Sequence, residues 1–365
     1  MRFSDTHLLL LSLILFTGCG QSGGFAGGTG TYSDYVYAGN YTSGDLSTYS
    51  ISSKDHVLRD IETVSTASHP EAVAADPLGQ FVFVVNSGSN LLNVFSLNEE
   101  SGKLTAVQSV STSASPQAVV CNPQGTFVFV ANSGADTVSA YSLGTSGQVA
   151  LSTTTSVGTG ATPVALAIDP AGRFLYSVNA GPRSVGVYLI TPSTGALTPV
   201  SSLGTGVTPT SISMDSAGHF LHVSNYGEST ISAYRISASN GALTLAQTIS
   251  TPSAPSRLPV SNDGKILYLS TGGTSSNFQV YQINPTSGAL TLAQTVTAGD
   301  TPFGIALDAA GEYLYVASAG SSNNISVFKI SALGFLTAYD SIAAGSSPRS
   351  LVAVRAVHRS ASRTP

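Results

Sequence analysis

Short apolar runs, broken by Gly, Pro, Asn and Ser, follow one another along almost the whole chain. In residues 163–179 an apolar run after Pro163 leads into an Asp-Pro-Ala-Gly turn at 169–172, and Phe174 and Tyr176 then alternate towards one face. Alternation of this kind is typical of half-buried β-strands joined by tight turns. No stretch keeps an apolar period typical of helices, so the pattern predicts an all-β fold and excludes βαβ units.

The same pattern recurs along the chain at steps of 46 or 47 residues. The opening prolines of the seven copies are Pro70, Pro116, Pro163, Pro209, Pro255, Pro302 and Pro348. In the copy opened by Pro163, four strand-like runs are expected at 164–168, 174–178, 184–190 and 197–202. A four-stranded unit with this period is typical of a propeller blade.

The two ends of the repeat region complement each other. Residues 36–40 match the second strand of a unit whose first strand is missing, and residues 348–354 match a first strand with no successor. We therefore predict a seven-bladed β-propeller over residues 35–354, in which the C-terminal strand completes the N-terminal blade and leaves no open sheet edge.

The N-terminal residues have the pattern of an export signal. Arg2 is followed by an apolar run at 8–16, which is too short to span a bilayer. The run ends in Leu-Phe-Thr-Gly-Cys, which resembles the lipobox of bacterial lipoproteins, with Cys19 as the acylated residue. We expect a signal peptide at 1–18 and a flexible Gly/Ser-rich tether at 19–34. The acylated Cys19 would anchor the protein in the cell envelope, on the periplasmic side of the outer membrane if the host has two membranes. The alternative is an ordinary secretory signal that is cleaved a few residues later.

Composition excludes several classes of function. Charged residues make up only 9% of the chain and the net charge is −5, so a nucleic-acid partner is not expected, despite a basic, frayed tail at 355–365. With Cys19 acylated, Cys121 has no partner for a disulfide and is expected to be a small buried residue. No His/Cys/Asp cluster has metal-ligand spacing, and no glycine-rich loop opens a helix, so we expect no metal and no cofactor. We expect a monomer.

Candidate chemistry lies at the starts of the innermost strands, which line the central channel of a propeller. Charge is sparse on this face: the candidate catalytic residues are Glu71, Arg257, Arg349 and His69. The candidate ligand-binding residues are Gln117, Asn40, Asn86, Asn132, Asn179 and Asn225. These residues also have structural interpretations. Glu71 and Arg349 can form an ion pair that stabilises the ring closure, and the repeated Asn side chains can cap turns.

The turn and strand motifs resemble a known family. Residues 169–176 (Asp-Pro-Ala-Gly-Arg-Phe-Leu-Tyr) and 193–198 (Ser-Thr-Gly-Ala-Leu-Thr) resemble the lactonase family of seven-bladed propellers, which includes bacterial 6-phosphogluconolactonases. Residues 129–132 and 315–318 are similar to the Tyr-Val-Thr-Asn repeats of surface propellers. The resemblance implies Arg and His just after a blade-opening proline; Arg349 matches the Arg, whereas Ser350 stands where the His is expected.

Two functions remain open from the sequence. The first is an envelope-anchored propeller that binds a small polar ligand, such as a carbohydrate or a lactone, or a protein partner at the channel face. The second, implied by the resemblance, is a lactone hydrolase with Arg257 and Arg349 at the oxyanion and Glu71 or His69 as the base. The missing His, the few charges and the Gly/Ser/Thr-rich surface favour binding slightly.

Overall fold

The computed structural model describes residues 32–272 and 277–358, which form a ring of seven antiparallel β-sheets. The strands are β1 (Tyr32–Asn40), β2 (Asp45–Ile51), β3 (Leu58–Ser65), β4 (Pro70–Ala75), β5 (Phe81–Asn86), β6 (Leu91–Leu97), β7 (Leu104–Ser111), β8 (Pro116–Cys121), β9 (Phe127–Asn132), β10 (Thr137–Leu143), β11 (Val149–Ser156), β12 (Pro163–Ile168), β13 (Phe174–Asn179), β14 (Ser184–Ile190), β15 (Leu197–Gly204), β16 (Pro209–Met214), β17 (Phe220–Asn225), β18 (Thr230–Ile236), β19 (Leu243–Ser250), β20 (Ile266–Ser270), β21 (Asn277–Ile283), β22 (Leu290–Thr297), β23 (Pro302–Leu307), β24 (Tyr313–Ser318), β25 (Asn324–Ile330), β26 (Leu336–Ala343) and β27 (Pro348–Val357). A 3-10 turn, Tyr226–Glu228, follows β17. The predicted seven-bladed β-propeller is confirmed.

The ring closes as the repeat pattern predicts. Blade 1 has the strand order β27-β1-β2-β3, so the C-terminal strand supplies its innermost position. The pairing of β27 with β1 runs from Pro348 opposite Asn40 to Val357 opposite Tyr32. The pairing extends three residues into the segment expected to be a tail. There Arg355 forms a bidentate ion pair with Asp34 of β1, at 2.8 and 2.9 Å.

Neighbouring blades contact each other through an aromatic residue and a glycine turn. The Tyr37 hydroxyl donates to the Gly102 carbonyl of the next blade at 2.8 Å, and Tyr176 donates to Gly241 in the same way at 3.0 Å. Gly241 has a φ of 70°, and a Cβ at this position would lie 2.7 Å from the ring of Phe174. The Gly-Ala-Leu-Thr turns therefore need glycine for both backbone conformation and close approach. The alternating aromatic residues pack between blades, as the pattern predicts.

Blade 6 departs from the regular pattern. Only β20, β21 and β22 form its continuous sheet, and the innermost segment pairs with β20 through two isolated bridges, Pro255 to Thr271 and Val260 to Leu267. The segment contains Pro259, which has no N–H to donate to a regular ladder. In this blade, therefore, the channel wall is an irregular segment and not a continuous strand.

Several expectations fall on parts of the chain outside the described residues. The signal peptide, Cys19, most of the tether and residues 359–365 of the tail lie there. Within residues 32–272 and 277–358, no helix has the length and apolar character needed to cross a bilayer.

Candidate functional site

The innermost strands surround a narrow central channel with a small cavity of about 60 Å³. Most of its wall is small and apolar, as at Ala72, Ala118 and Ala165. Its polar side chains come from blades 1, 2, 3, 5 and 6, at Glu71, Gln117, Ser211, Arg257, Arg349 and Ser350. Three of the four candidate catalytic residues thus share one cavity at the opening-proline face.

Glu71 is the carboxylate of this cluster. It is the second residue of β4, directly after Pro70, and its carboxylate oxygen lies 3.9 Å from Nη1 of Arg349 in the adjacent blade. Burial raises the pKa of Glu71, and the nearby Arg257, Arg349 and His69 oppose that rise. The expected ion pair is present, but at a separation that leaves both groups with room to engage a third one.

Arg257 enters the channel because of the irregular inner segment of blade 6. In the other six blades the residue after the opening proline is half-buried and the next one is buried. In blade 6 the order is reversed: Ser256 is 3% exposed and Arg257 is half-buried. The Arg257 N–H donates to the Ser270 hydroxyl at 3.0 Å, and its guanidinium donates to the Thr210 carbonyl at 3.1 Å. Arg257 is therefore anchored beside its own blade and the preceding one.

Aromatic rings support the two guanidinium groups. The Arg349 guanidinium lies 3.8 Å from the centre of the Tyr41 ring and 5.6 Å from that of Phe303. Arg257 lies 5.8 Å from the same Phe303 ring. The exposed His69 stacks on the outer side of Tyr41 at 4.4 Å, so it lies at the rim and not in the wall of the cavity. Cation–π contacts of this kind hold positive charge in place without consuming its hydrogen-bond donors.

The Nε atom of Arg349 and the Ser350 hydroxyl oxygen are both buried and have no hydrogen-bond partner among the described residues. The Gln117 side chain also makes no hydrogen bond within residues 32–272 and 277–358, although it lines the cavity. Unpaired polar groups are uncommon in folded proteins and gather where a ligand or ordered water completes the bonding. The part of the wall between Gln117 and Arg349 therefore has polar groups that are free to form hydrogen bonds with a ligand.

The five candidate Asn residues lie inside the blades and not in this cavity. Asn132 and Asn225 each donate to two hydroxyl groups of the following strand, at 3.2 and 3.1 Å and at 3.0 and 2.9 Å. Asn40 makes equivalent bonds to Asp45 and Ser47, and Asn86 bonds Asn93 and nearby carbonyls. Asn179 accepts from Ser177. Four of the five thus bridge the second and third strands, which corresponds to the structural interpretation of the repeat. The bond of Asn179 lies within its own strand.

Two contributors to the cluster were missing from the sequence-based candidates. Phe303 occupies the same position after a proline as Glu71 and Arg349, so its place beside the two guanidinium groups has a sequence signal. Tyr41 follows Asn40 at the end of β1, and no pattern along the chain places it against Arg349, because that contact depends on ring closure. No group of three or more His, Cys, Asp and Glu side chains in the described part of the chain has the geometry to hold a metal.

A family model described as lactonase, 7-bladed beta-propeller, matches residues 30–121, 109–213 and 202–303. The chain belongs to the seven-bladed β-propeller lactonase family. No curated protein matches its sequence significantly.

Solved structures of similar shape include lactonase relatives. A Bacteroides fragilis protein provisionally named a 6-phosphogluconolactonase is 22% identical, with a TM-score of 0.79, and the match covers 90% of this chain and 99% of that one. The periplasmic gluconolactonase PpgL of Pseudomonas aeruginosa is 20% identical, with a TM-score of 0.77 and coverages of 89% and 99%. The hydrazine synthase of Kuenenia stuttgartiensis is 19% identical, with a TM-score of 0.62 and coverages of 77% and 88%. At these identities the similarity shows the fold, which this lactonase-family chain shares with proteins of unrelated activity.

Proposed function

We propose that the channel mouth of this lactonase-family propeller binds a small polar ligand of the sugar-lactone or sugar-acid class. The observation that carries the proposal is the convergence of Glu71, Arg257 and Arg349 on one cavity in a channel whose wall is otherwise mostly small and apolar. Two guanidinium groups and one carboxylate leave a positive excess, which suits a carbonyl or carboxylate oxygen.

The size of the cavity limits how the ligand is held. At about 60 Å³ it is far smaller than the roughly 300–1,000 Å³ of typical ligand pockets, so a whole sugar ring does not fit inside. We infer that one oxygen-bearing end of the ligand enters between Arg257 and Arg349, while its remaining hydroxyls stay at the open mouth. The Gln117 amide and the Ser350 hydroxyl supply neutral hydrogen-bonding groups beside that end.

Calorimetric titration with gluconate and with glucono-δ-lactone tests this binding. Removing one guanidinium by Arg349→Ala is expected to weaken binding at least tenfold, because hydrogen bonds to charged groups contribute about 1.5–3 kcal/mol. Arg59→Ala is the matched control: it removes a guanidinium that is 62% exposed from the outer strand of the same blade. Equal affinity in the wild type and Arg349→Ala, or no binding to either ligand by the wild type, would contradict the proposal.

Hydrolysis of the bound lactone is the second candidate function, and the state of Glu71 favours it. A carboxylate whose pKa is raised by burial is a stronger base than an exposed one, and a general base must take a proton from the attacking water. In this scheme Glu71 accepts that proton, the water oxygen bonds to the lactone carbonyl carbon, and Arg257 and Arg349 stabilise the resulting oxyanion. Collapse of the oxyanion breaks the ring ester bond, and the ring oxygen takes the proton held by Glu71, so that the product is the open hydroxy acid and Glu71 is again a carboxylate.

Glu71→Gln separates the two functions. A hydrolase is expected to lose most of its turnover of glucono-δ-lactone above the background rate while keeping its affinity for gluconate. A binding propeller shows no turnover above background in either form. The envelope location follows from the proposed lipid anchor at Cys19.

A further inference from the structure

In three of the seven blades, a tyrosine on the third strand donates a hydrogen bond across the seam to the preceding blade. The hydroxyls of Tyr49, Tyr141 and Tyr234 each donate to the carbonyl at the end of the preceding blade's outer strand, with distances of 2.7, 3.1 and 2.7 Å. A serine stands two residues before each of these tyrosines, at Ser47, Ser139 and Ser232, and it accepts a hydrogen bond from the Asn of the second strand.

Blade 4 breaks this arrangement at Gly186. Because no side chain stands there, the Tyr188 ring folds over the glycine, and a Cβ added to Gly186 would lie 2.7 Å from the Tyr188 hydroxyl. In the described part of the chain, the Tyr188 hydroxyl makes no hydrogen bond to the carbonyl of Ser156, which ends β11. The hydroxyl lies instead beside Asn179, which lowers the pKa of Tyr188 against a larger rise caused by burial.

A groove of about 540 Å³ lies along the seam between blades 3 and 4. Its wall includes Ser156, Asn179, Pro182, Tyr188, Pro199 and Val200. This volume lies within the range of sites that enclose a small molecule. Asn179 and Tyr188 are only 3% and 5% exposed, so their polar groups are buried at the base of the groove.

The rim of the groove is held in place by contacts of its own. Asp136 accepts hydrogen bonds from the backbone N–H groups of Gly160 and Thr162 at 2.7 and 2.8 Å. A Cβ on Gly181 would overlap the Gly160 carbonyl oxygen, so the loop lies directly against blade 4. The groove is thus formed before any ligand arrives, which lowers the entropic cost of binding.

We propose that this groove binds a neutral saccharide, at a site separate from the channel mouth. No charged side chain lines it, and its polar groups are hydroxyls, an amide and backbone. These groups match the alternating donors and acceptors of sugar hydroxyls. The faces of Pro182, Pro199 and Val200 offer apolar surface to the C–H faces of a sugar ring, whereas an anion would find no partner here.

Saturation-transfer NMR and calorimetry with cellobiose, maltotriose and diacetylchitobiose test the proposal on the full chain. Gly186→Ser recreates the serine found in blades 1, 3 and 5 and displaces Tyr188 into the groove, so we expect at least tenfold weaker binding. Tyr188→Phe is the second variant, because Phe95 and Phe328 occupy the equivalent position in blades 2 and 7. It removes only the hydroxyl and is expected to weaken binding several-fold.

Arg349→Ala is the control, because it alters the channel mouth and is expected to leave saccharide binding unchanged. The proposal is overturned if none of the three saccharides binds the wild type, or if Gly186→Ser binds them as tightly as the wild type does. Gluconate binding that is lost in Gly186→Ser and kept in Arg349→Ala would also overturn it, because the groove would then take an anion. If no ligand binds at the channel mouth, this test is unaffected, since the two sites share no residue.

Discussion

The buried His222 makes the stability of the propeller depend on pH between about 4 and 6.5. Its side chain is fully buried in β17, and Nε2 lies 3.3 Å from the Gly288 carbonyl of the next blade. Nδ1 is buried and has no partner among the described residues. Burial lowers the pKa of His222 from 6.5 to about 4, and the hydrogen bond to Gly288 opposes that change.

The sign of the effect follows from where the proton binds. Below pH 6.5 the unfolded chain takes up a proton on His222 that the folded chain resists, so acid favours unfolding. A tenfold difference in proton affinity between the folded and unfolded chains corresponds to about 1.4 kcal/mol, so the lowered pKa of His222 gives a loss of about 2 kcal/mol at pH 5 and about 3 kcal/mol at pH 4. The stabilisation is complete above pH 6.5 and is lost as pH falls towards 4.

His222→Tyr removes this dependence, because a tyrosine fits the same position in other blades. Tyr37, Tyr176 and Tyr268 each donate to the equivalent carbonyl. Urea unfolding at pH 8, 6 and 5 should show the wild type losing about 2 kcal/mol more than the variant between the highest and the lowest pH.

His219→Gln is the matched control for this measurement. His219 lies in the exposed turn before β17, where blade 2 has Gln80, and its side chain is 67% exposed. The carboxylates titrate in every variant, so their contribution cancels in the comparison. The reasoning is refuted if the wild type and His222→Tyr lose the same free energy of unfolding over this range, or if His219→Gln flattens the profile equally.

Three further predictions concern the turns, the closure and the anchor. Asp308→Ala should destabilise the fold by about 1–3 kcal/mol, because it leaves two backbone N–H groups of the turn unpaired, one buried and one partly buried. Asp308→Asn should be nearly neutral, since Asn122 makes the same two bonds in blade 3, and urea unfolding that ranks the variants otherwise would contradict this. Deleting residues 347–354 should cause aggregation or a large loss of thermal stability, and an unchanged melting temperature would argue against closure through β27. Cys19→Ser should release the protein from membranes or leave it unprocessed, and unchanged membrane fractionation would contradict the lipid anchor.

The fold was predictable because its information is local and repeated. Each turn, opening proline and alternating strand is encoded within about 47 residues, and six successive steps of 46 or 47 residues restrict how the units can be arranged. The closure also had a local signal, since a first strand without a successor at 348–354 matches a second strand without a predecessor. Repetition likewise indicates that Asn132 and Asn225 serve the blades, because a unique site does not recur in every blade.

The candidate site was only partly predictable, because it depends on contacts across the ring. Glu71 and Arg349 stand in the same position after a proline, so their proximity has a signal in the sequence. The support of Arg349 by Tyr41 joins residues that are about 300 positions apart, and the entry of Arg257 into the channel depends on a local departure at Pro259. The groove beside Gly186 could not be predicted from the sequence either, because it depends on the orientation that the Tyr188 ring adopts when residue 186 has no side chain.

A crystal structure of the protein soaked with gluconate tests the proposed channel-mouth site most directly. We predict density for one carboxylate between Arg257 and Arg349, with an oxygen within hydrogen-bonding distance of each guanidinium and the sugar hydroxyls at the open mouth. An empty mouth at saturating gluconate, with the Glu71–Arg349 pair undisturbed or with the ligand bound elsewhere on the propeller, would contradict the proposed function.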